Sequence, residues 1–286
     1  MDMTSRQDMV ITKEAVEEFL NELRERERAG NTINKYRHDL DAFREFLDGR
    51  PVTKDLVLEY KRLLQSSCKA ACSINSILSA INHFVTWAGR SDLRTAFLKI
   101  QRRVFRDTSQ DLTREDYDRL VDAVYGGGNR RMGLLLETLG ATGIRISELR
   151  YLTVETVSDG KADVDMKSKI RTIMVPGKLS GKLLDYAGDM GIVSGEIFLT
   201  KNGKSLSRQS VWRDMKVLAG RAGIPGSKVY PHNFRHMFAT VFYDQCKDIV
   251  KLADVLGHSS INTTRIYLIS SGQEHAEQLD RLDLVR

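Results

Sequence analysis

The chain has 286 residues, which is enough for two domains that each bury a core of their own. Hydrophobic residues make up 41% of it, and no apolar run approaches the roughly 18 residues of a membrane span, so we expect no membrane partner. The net charge of +6 favours a polyanionic partner only weakly, because many basic proteins bind no nucleic acid.

The N-terminus and the cysteines indicate the compartment. The first ten residues hold no apolar segment of signal-peptide length, so we expect a cytoplasmic protein. Cys68, Cys72 and Cys246 are odd in number, and the first two have no second pair with which to complete a zinc site. We therefore expect buried free thiols in a reducing compartment.

Apolar residues at helical spacing predict four helices in the first hundred residues. Thr12 and Thr53 are suited to cap the first and third of them. The first is predicted over 12–28, the second opens at Thr32 and ends at Gly49, the third starts after Thr53, and the fourth spans 73–88. Together they predict a small all-helical bundle, which by itself is typical of many binding modules.

A basic stretch follows the bundle. Residues 90–106 hold six basic side chains against one acid, Asp92. Residues 101–112 lack apolar periodicity and predict a linker, which either follows DNA between two domains or is an ordinary basic loop. We place the two domains at 1–105 and 106–286.

The second domain combines helices with one change of period. Thr113, with Asp116 three residues later, is close to a capping box, and residues 131–139 form a richly apolar helix. Residues 161–166 alternate and residues 170–175 are mostly β-branched, which predicts a hairpin. Further predictions are a helix at 178–190, a short strand at 196–200, a helix at 207–222 with Val211, Trp212, Met215, Val217 and Leu218 facing inward, and a short amphipathic helix at 274–284.

Most of the candidate catalytic side chains lie in residues 231–268. His232 and Arg235 are three apart and share a helix face, and Gly257 can end a helix directly before His258. Tyr267 follows a polar segment. Taken singly, such residues are more often surface charges or packing groups. In this order within a basic chain, they point to chemistry on a phosphate.

Four sequence patterns resemble those of the tyrosine recombinases, the phage-integrase and Xer family. H-x-x-R, then L-G-H, then a Tyr nine residues past that His resembles the family's C-terminal signature. T-G-x-R-x-x-E-L ends at Leu149, K-S-K-I-R starts at Lys167, and residues 31–47 resemble the family's core-binding domain. The resemblance implies a mainly α fold, with an N-terminal helical core-binding (SAM-like) bundle and a C-terminal α+β catalytic domain that holds a small antiparallel sheet.

The resemblance also implies roles for individual residues. Two guanidinium groups would clamp the phosphate of a DNA strand while a tyrosine attacks it, and a lysine on the hairpin would protonate the leaving oxygen. One histidine would exchange a proton with the tyrosine, and a second would donate to a phosphate oxygen. A carboxylate would orient the site. These residues are Arg145, Arg235, Tyr267, Lys167 (or Lys169, two residues on), His232, His258 and Glu148.

Two other functions are compatible with these residues. A type IB topoisomerase uses similar chemistry without pairing two sites, and a non-catalytic DNA-binding protein could keep the fold. His232 and His236 also have a metal-pair spacing, but the H-E-x-x-H arrangement is missing, so we expect no metal and no cofactor. The partners that the resemblance implies are double-stranded DNA and a homotetramer on paired sites, in which the helix at 274–284 docks on a neighbouring protomer.

Overall fold

A computed structural model describes residues 9–100, 108–165, 170–268 and 280–282. The chain divides into two compact units, Met1–Arg102 and Arg103–Arg286. No helix among the described residues is long and apolar enough to cross a membrane.

Unit one is a helical bundle, as the apolar spacing predicts. Thr12 and Thr53 accept hydrogen bonds from the backbone N–H groups of Ala15 and Leu56, so both predicted caps are confirmed. The second helix begins earlier than predicted, because Gly30 and Asn31 are taken into its first turn. The helices are α1 (Lys13–Glu25), α2 (Gly30–Leu47), α3 (Lys54–Ser66) and α4 (Ala71–Trp87), with a 3₁₀ turn at Ser91–Leu93.

The centre of unit one is apolar and aromatic. Leu40, Phe43 and Phe84 are fully buried, and the Phe43 ring lies 5.0 Å from that of Tyr60. Asn82 is a buried polar group of this core, at 4% exposure. Its side chain donates to the carbonyl oxygen of Thr95 at 2.9 Å and accepts from the N–H of Thr95 at 2.8 Å, which ties the segment after the 3₁₀ turn to α4.

Unit two is mainly helical with one small sheet. The predicted capping box is confirmed, since the Thr113 hydroxyl and the Asp116 carboxylate each bond the other's backbone N–H. The helices are α5 (Arg114–Gly126), α6 (Arg130–Thr142), α7 (Val154–Ser158), α8 (Gly177–Asp189), α9 (Arg208–Arg221), α10 (Pro231–Cys246), α11 (Ile249–Leu256) and α12 (Ile261–Arg265), with 3₁₀ turns at Ile146–Tyr151 and Ile266–Leu268.

The sheet is the predicted hairpin. Strand β1 (Lys161–Asp165) pairs antiparallel with β2 (Ile170–Met174), and Val164 stands opposite Arg171. Ala162, Val164 and Ile173 face the core, so the alternation in the sequence corresponds to the two faces of the strands. The predicted mainly α fold with a small antiparallel sheet is therefore confirmed.

Several local expectations are wrong. Residues 196–200 contribute only isolated bridges, Thr153 with Glu196 and Leu199 with Ser205, rather than a strand. Trp212 and Val217 are more than half exposed, because the buried stripe of α9 runs through Val211, Met215, Leu218 and Ala219. The three cysteines are free, as expected, but all are exposed rather than buried.

Candidate active site

Arg145 follows a sharp helix end. Gly143 terminates α6 with φ of +59°, a left-handed conformation that favours glycine. A Cβ at Gly143 would lie 2.3 Å from a ring carbon of Phe238, so the close approach of α10 also requires glycine there. The chain then turns into the 3₁₀ segment, and the Arg145 side chain keeps 39% of its surface exposed. The turn at Gly143 thus places the guanidinium of Arg145 where it is accessible.

Glu148 is a carboxylate buried beneath that guanidinium, with only 1% of its surface exposed. Its Oε2 accepts from the backbone N–H of Arg145 at 2.7 Å, and its Oε1 accepts from Arg145 Nη1 at 2.8 Å. Arg171 on β2 donates from Nη2 to Oε2 at 2.5 Å. One buried carboxylate therefore holds two arginines, which satisfies the general requirement that buried charges be paired.

Among the described residues, Arg235 on α10 is the largest fully buried side chain, with 2% of its surface exposed. Its Nη1 donates to the carbonyl oxygen of Gly143, and its Nη2 donates to that of Leu256, each at 2.6 Å. These carbonyls lie at the C-terminal ends of α6 and α11, where the helix dipoles favour a cation. Burial, followed by the charge of Arg145, lowers the pKa of Arg235 to about 10, so it stays charged at neutral pH.

His258 is presented by a second glycine turn. Gly257 caps α11 with φ of +64°. The Nε2 of His258 lies 2.9 Å from Arg235 Nη2, and its Nδ1 lies 2.9 Å from the hydroxyl of Thr264. Because a guanidinium can only donate, Nε2 accepts and Nδ1 carries the proton. Burial and then the charge of Arg235 lower the pKa of His258 to about 4, so the imidazole is neutral near pH 7.

Tyr267 lies in the last 3₁₀ turn, with 7% of its surface exposed. Three imidazoles surround its ring, with centroid distances of 5.7 Å to His232, 5.2 Å to His236 and 5.8 Å to His258. The phenol also adjoins Arg235 and partly offsets the lowering of that residue's pKa. The phenol is thus brought beside two predicted histidines and one predicted arginine of the same chain.

These groups open onto one cavity of about 1050 Å³. Arg145, Arg235, His258 and Tyr267 line this cavity, and so does the exposed Trp212. Among the described residues, no group of three or more His, Cys, Asp or Glu side chains is arranged to hold a metal ion. The positive charge lining this cavity suits an anion such as a phosphodiester.

The structure brings together six of the seven predicted site residues. They are Arg145, Glu148, His232, Arg235, His258 and Tyr267. Lys167 and its alternative Lys169 lie outside the described residues, in the turn between β1 and β2.

Sequence reasoning included Arg171 in the K-S-K-I-R pattern but gave it no role, and it considered His236 only as a packing group or as a metal-pair partner of His232. The signal for Arg171 was present: it is a lone charge in the otherwise uncharged strand I-R-T-I-M. Its partner Glu148 is 23 positions away, a distance over which local patterns carry no information. His236 was visible as the fifth residue of the H-x-x-R-H run, but only the fold places its ring against Tyr267.

Comparison with known proteins places the fold among recombinases. A lambda integrase fragment (75–356), solved as a dimer on a core DNA site, matches with a TM-score of 0.74 at 18% identity, covering 92% of this chain and 96% of that one. The XerH recombinase in a pre-cleavage complex matches with a TM-score of 0.67 at 18% identity, covering 96% of this chain and 90% of that one. At such identities the similarity defines the fold.

The sequence comparisons define the family. The model described as Phage integrase family matches residues 110–274, and that described as Phage integrase, N-terminal SAM-like domain, matches residues 16–92. Tyrosine recombinase XerC of Roseiflexus castenholzii is 33% identical over 89% of this chain and 88% of its own length. Tyrosine recombinase XerA of Pyrococcus furiosus is 28% identical over 97% of each. The chain therefore belongs to the phage integrase family and is a tyrosine-type site-specific recombinase.

Proposed function

We propose that the chain cleaves and rejoins double-stranded DNA through Tyr267, supplied in cis, with a covalent 3′-phosphotyrosyl intermediate. The observation that carries this proposal is the burial of Tyr267 beside Arg235, His232 and His258 of its own chain. The phenol oxygen attacks the phosphorus, the bond to the 5′-oxygen breaks, and the new ester keeps the energy needed for religation. A 5′-hydroxyl of another strand reverses the step, so no ATP is consumed.

Arg145 and Arg235 form the phosphate clamp in this proposal. Charge grows on the non-bridging oxygens in the transition state, and guanidinium groups meet such oxygens with paired N–H donors. Each preorganised donor of this kind is worth about 3 kcal/mol at the barrier. Arg235 is already fixed by two carbonyls, and Arg145 by Glu148, so neither has to be ordered during the reaction. Two arginines and a lysine supply the positive charge that metal ions supply in other enzymes.

His232, His258 and Lys167 take the remaining roles. His232 lies beside the Tyr267 ring and exchanges a proton with the phenol. In the free protein His258 accepts from Arg235, so it first holds that arginine in place. Direct donation to the phosphate from Nε2, as the family resemblance implies, then requires His258 to release Arg235 and to take up a proton at that nitrogen. Lys167, or Lys169, protonates the 5′-oxygen.

The assembly is proposed from the relatives. Lambda integrase has been solved as a dimer on a core site and as a tetramer on a Holliday junction. By analogy, we assign residues 1–105 to a core-binding domain, residues 106–286 to the catalytic domain, and the active form to a homotetramer on paired sites. The segment 274–284 would dock on a neighbouring protomer. Deleting residues 274–286 should impair recombination more than DNA binding, and full-rate recombination by that truncated protein would contradict the exchange.

Covalent trapping tests the proposed function. Wild type and Tyr267→Phe are incubated with a nicked suicide DNA that carries the bound site, in the presence of a chelator, and run on a denaturing gel. Tyr243→Phe is the matched control, because Tyr243 packs in the same small apolar cluster as Tyr267. We expect an adduct with wild type and the control, and none with Tyr267→Phe. Wild type that binds the site without an adduct would support a non-catalytic binder, and relaxation of supercoils by a monomer would support a topoisomerase.

A further inference from the structure

Arg171 connects the hairpin to two separate parts of the site. From β2 its Nη2 reaches Glu148 at 2.5 Å, and its Nη1 donates to the carbonyl oxygen of Val255 at 2.9 Å. Val255 lies in the last turn of α11, two residues before Gly257. One side chain thus contacts the carboxylate beneath Arg145 and the helix end that presents His258.

The contacts around Glu148 show how Arg171 acts on Arg145. Arg171 occupies Oε2 together with the backbone N–H of Arg145. The Arg145 side chain is engaged at Oε1 through Nη1. Without Arg171, the single carboxylate would be left to Arg145 alone and could draw its guanidinium into a two-pronged pair. With Arg171 in place, the carboxylate of Glu148 is shared between two arginines. Arg145 therefore keeps its other N–H donors directed at the cavity.

The spacing at Gly257 shows how closely Arg171 approaches the end of α11 that presents His258. A Cβ at Gly257 would lie 2.3 Å from Cδ of Arg171. Gly257 is therefore required both by its φ of +64° and by the side chain that passes against it. The turn that leads into His258 is held between its own helix and Arg171.

A role in stability alone explains Arg171 poorly. Burial lowers the pKa of Arg171, an effect that the charge of Glu148 partly offsets. Its Nε is buried with no hydrogen-bond partner among the described residues, which is an uncompensated cost. Apolar residues of similar volume often replace buried ion pairs without loss of stability. The fold thus keeps a costly charge at a position that contacts both the carboxylate that holds Arg145 and the helix end that presents His258.

We propose that Arg171 is a positioning residue of the cleavage reaction, which acts through Glu148 on Arg145 and through the α11 end on His258. The proposal rests on the proposed function, because it assigns Arg145 to the phosphate. Arg171 itself does not line the cavity. Its removal should lower the rate of the chemical step and leave DNA affinity nearly unchanged.

A double-mutant cycle tests this coupling. Arg171→Met, Glu148→Gln and the double variant are compared with wild type in single-turnover adduct formation at saturating DNA. We expect Arg171→Met to lower the rate by about 10- to 100-fold, as loss of an orienting partner typically does. In the Glu148→Gln background the same change should cost about threefold or less, because the route through Glu148 is gone and only the contact with the α11 end remains. Arg171→Lys should recover part of the rate by restoring the charge.

Arg131→Met is the matched control, since Arg131 also donates to a backbone carbonyl, that of Leu199, in the same unit. It should leave the rate within about twofold of wild type. An Arg171→Met enzyme as fast as wild type would overturn the proposal, and so would an undiminished effect in the Glu148→Gln background. If Arg171→Met does not fold by circular dichroism, Arg171→Lys carries the same comparison. Failure of wild type to form an adduct would instead overturn the proposed function first.

Discussion

The two units bury polar groups in different ways. In unit one the neutral amide of Asn82 satisfies both backbone groups of Thr95, and the buried carboxylate of Asp39 pairs with Lys35 on the exposed side of its own helix. In unit two Glu148 and Arg235 are charged and as deeply buried, and they are held by Arg145, Arg171 and helix-end carbonyls next to a cavity. A neutral group whose hydrogen bonds are satisfied costs little free energy to bury. A buried charge costs more, so its retention suggests a further role. Among the described residues, it is in unit two that several buried charges meet beside a cavity, and there we place the cleavage chemistry.

Replacing Arg235 should produce the largest effect. Arg235→Gln removes one arm of the phosphate clamp and should lower the rate of adduct formation by about 10²- to 10³-fold. It also leaves the carbonyls of Gly143 and Leu256 without a cationic donor. Single-turnover trapping at saturating DNA measures the rate. Arg131→Gln, which removes a guanidinium–carbonyl contact away from the site, should stay near wild type. Similar losses in both variants would mean that unit two is merely destabilised.

The matching change in unit one should affect stability alone. Asn82→Ala leaves the backbone groups of Thr95 buried and unpaired, which should cost about 1–3 kcal/mol of unfolding free energy. The chain has two tryptophans, Trp87 in unit one and Trp212 in unit two, so single-tryptophan versions report each unit in urea. The Trp87 transition should move to lower urea while the cleavage rate at saturating DNA is kept. A tenfold fall in the cleavage rate would contradict the prediction that this change in unit one affects stability alone.

The smallest effect concerns pH. The pKa of His258 is about 4 in the folded protein against an ordinary value of 6.5, so the unfolded chain takes up the proton first on acidification. Its contribution is fully present above about pH 6.5 and is lost as pH falls towards 4. Unit two of wild type should therefore lose stability more steeply over this window than His258→Gln, which keeps an acceptor for Arg235. Equal slopes in urea titrations of the two proteins would contradict the assigned neutral state.

Local signals in the sequence were sufficient for much of the fold. The caps at Thr12, Thr53 and Thr113, and the alternation of β1, depend on residues a few positions apart, so they could be predicted. The apolar stripe of α9 was predicted too wide, because Trp212 and Val217 lie next to buried positions and apolar character alone does not reveal which side of a helix is covered. Trp212 lies outside the buried stripe and is exposed.

The candidate site shows the same limit. The spacing of His232, Arg235 and His258 and the family resemblance identified the residues that the fold brings to one cavity. The pairing of Arg171 with Glu148 and the contact of Arg171 with Gly257 join positions far apart in the chain. The acceptor role of His258 follows from the position of Arg235, which only the fold defines.

The most direct test of the central claim asks whether Tyr267 serves the clamp of its own chain. Tyr267→Phe, which lacks the nucleophile, is mixed with Arg235→Gln, which lacks one arm of the clamp, on the suicide DNA. Because Tyr267 lies in the pocket of its own protomer, the mixture should form no more adduct than Arg235→Gln alone. Adduct that rises on mixing to near half of the wild-type yield would show that the nucleophile crosses between protomers, and would contradict cleavage in cis.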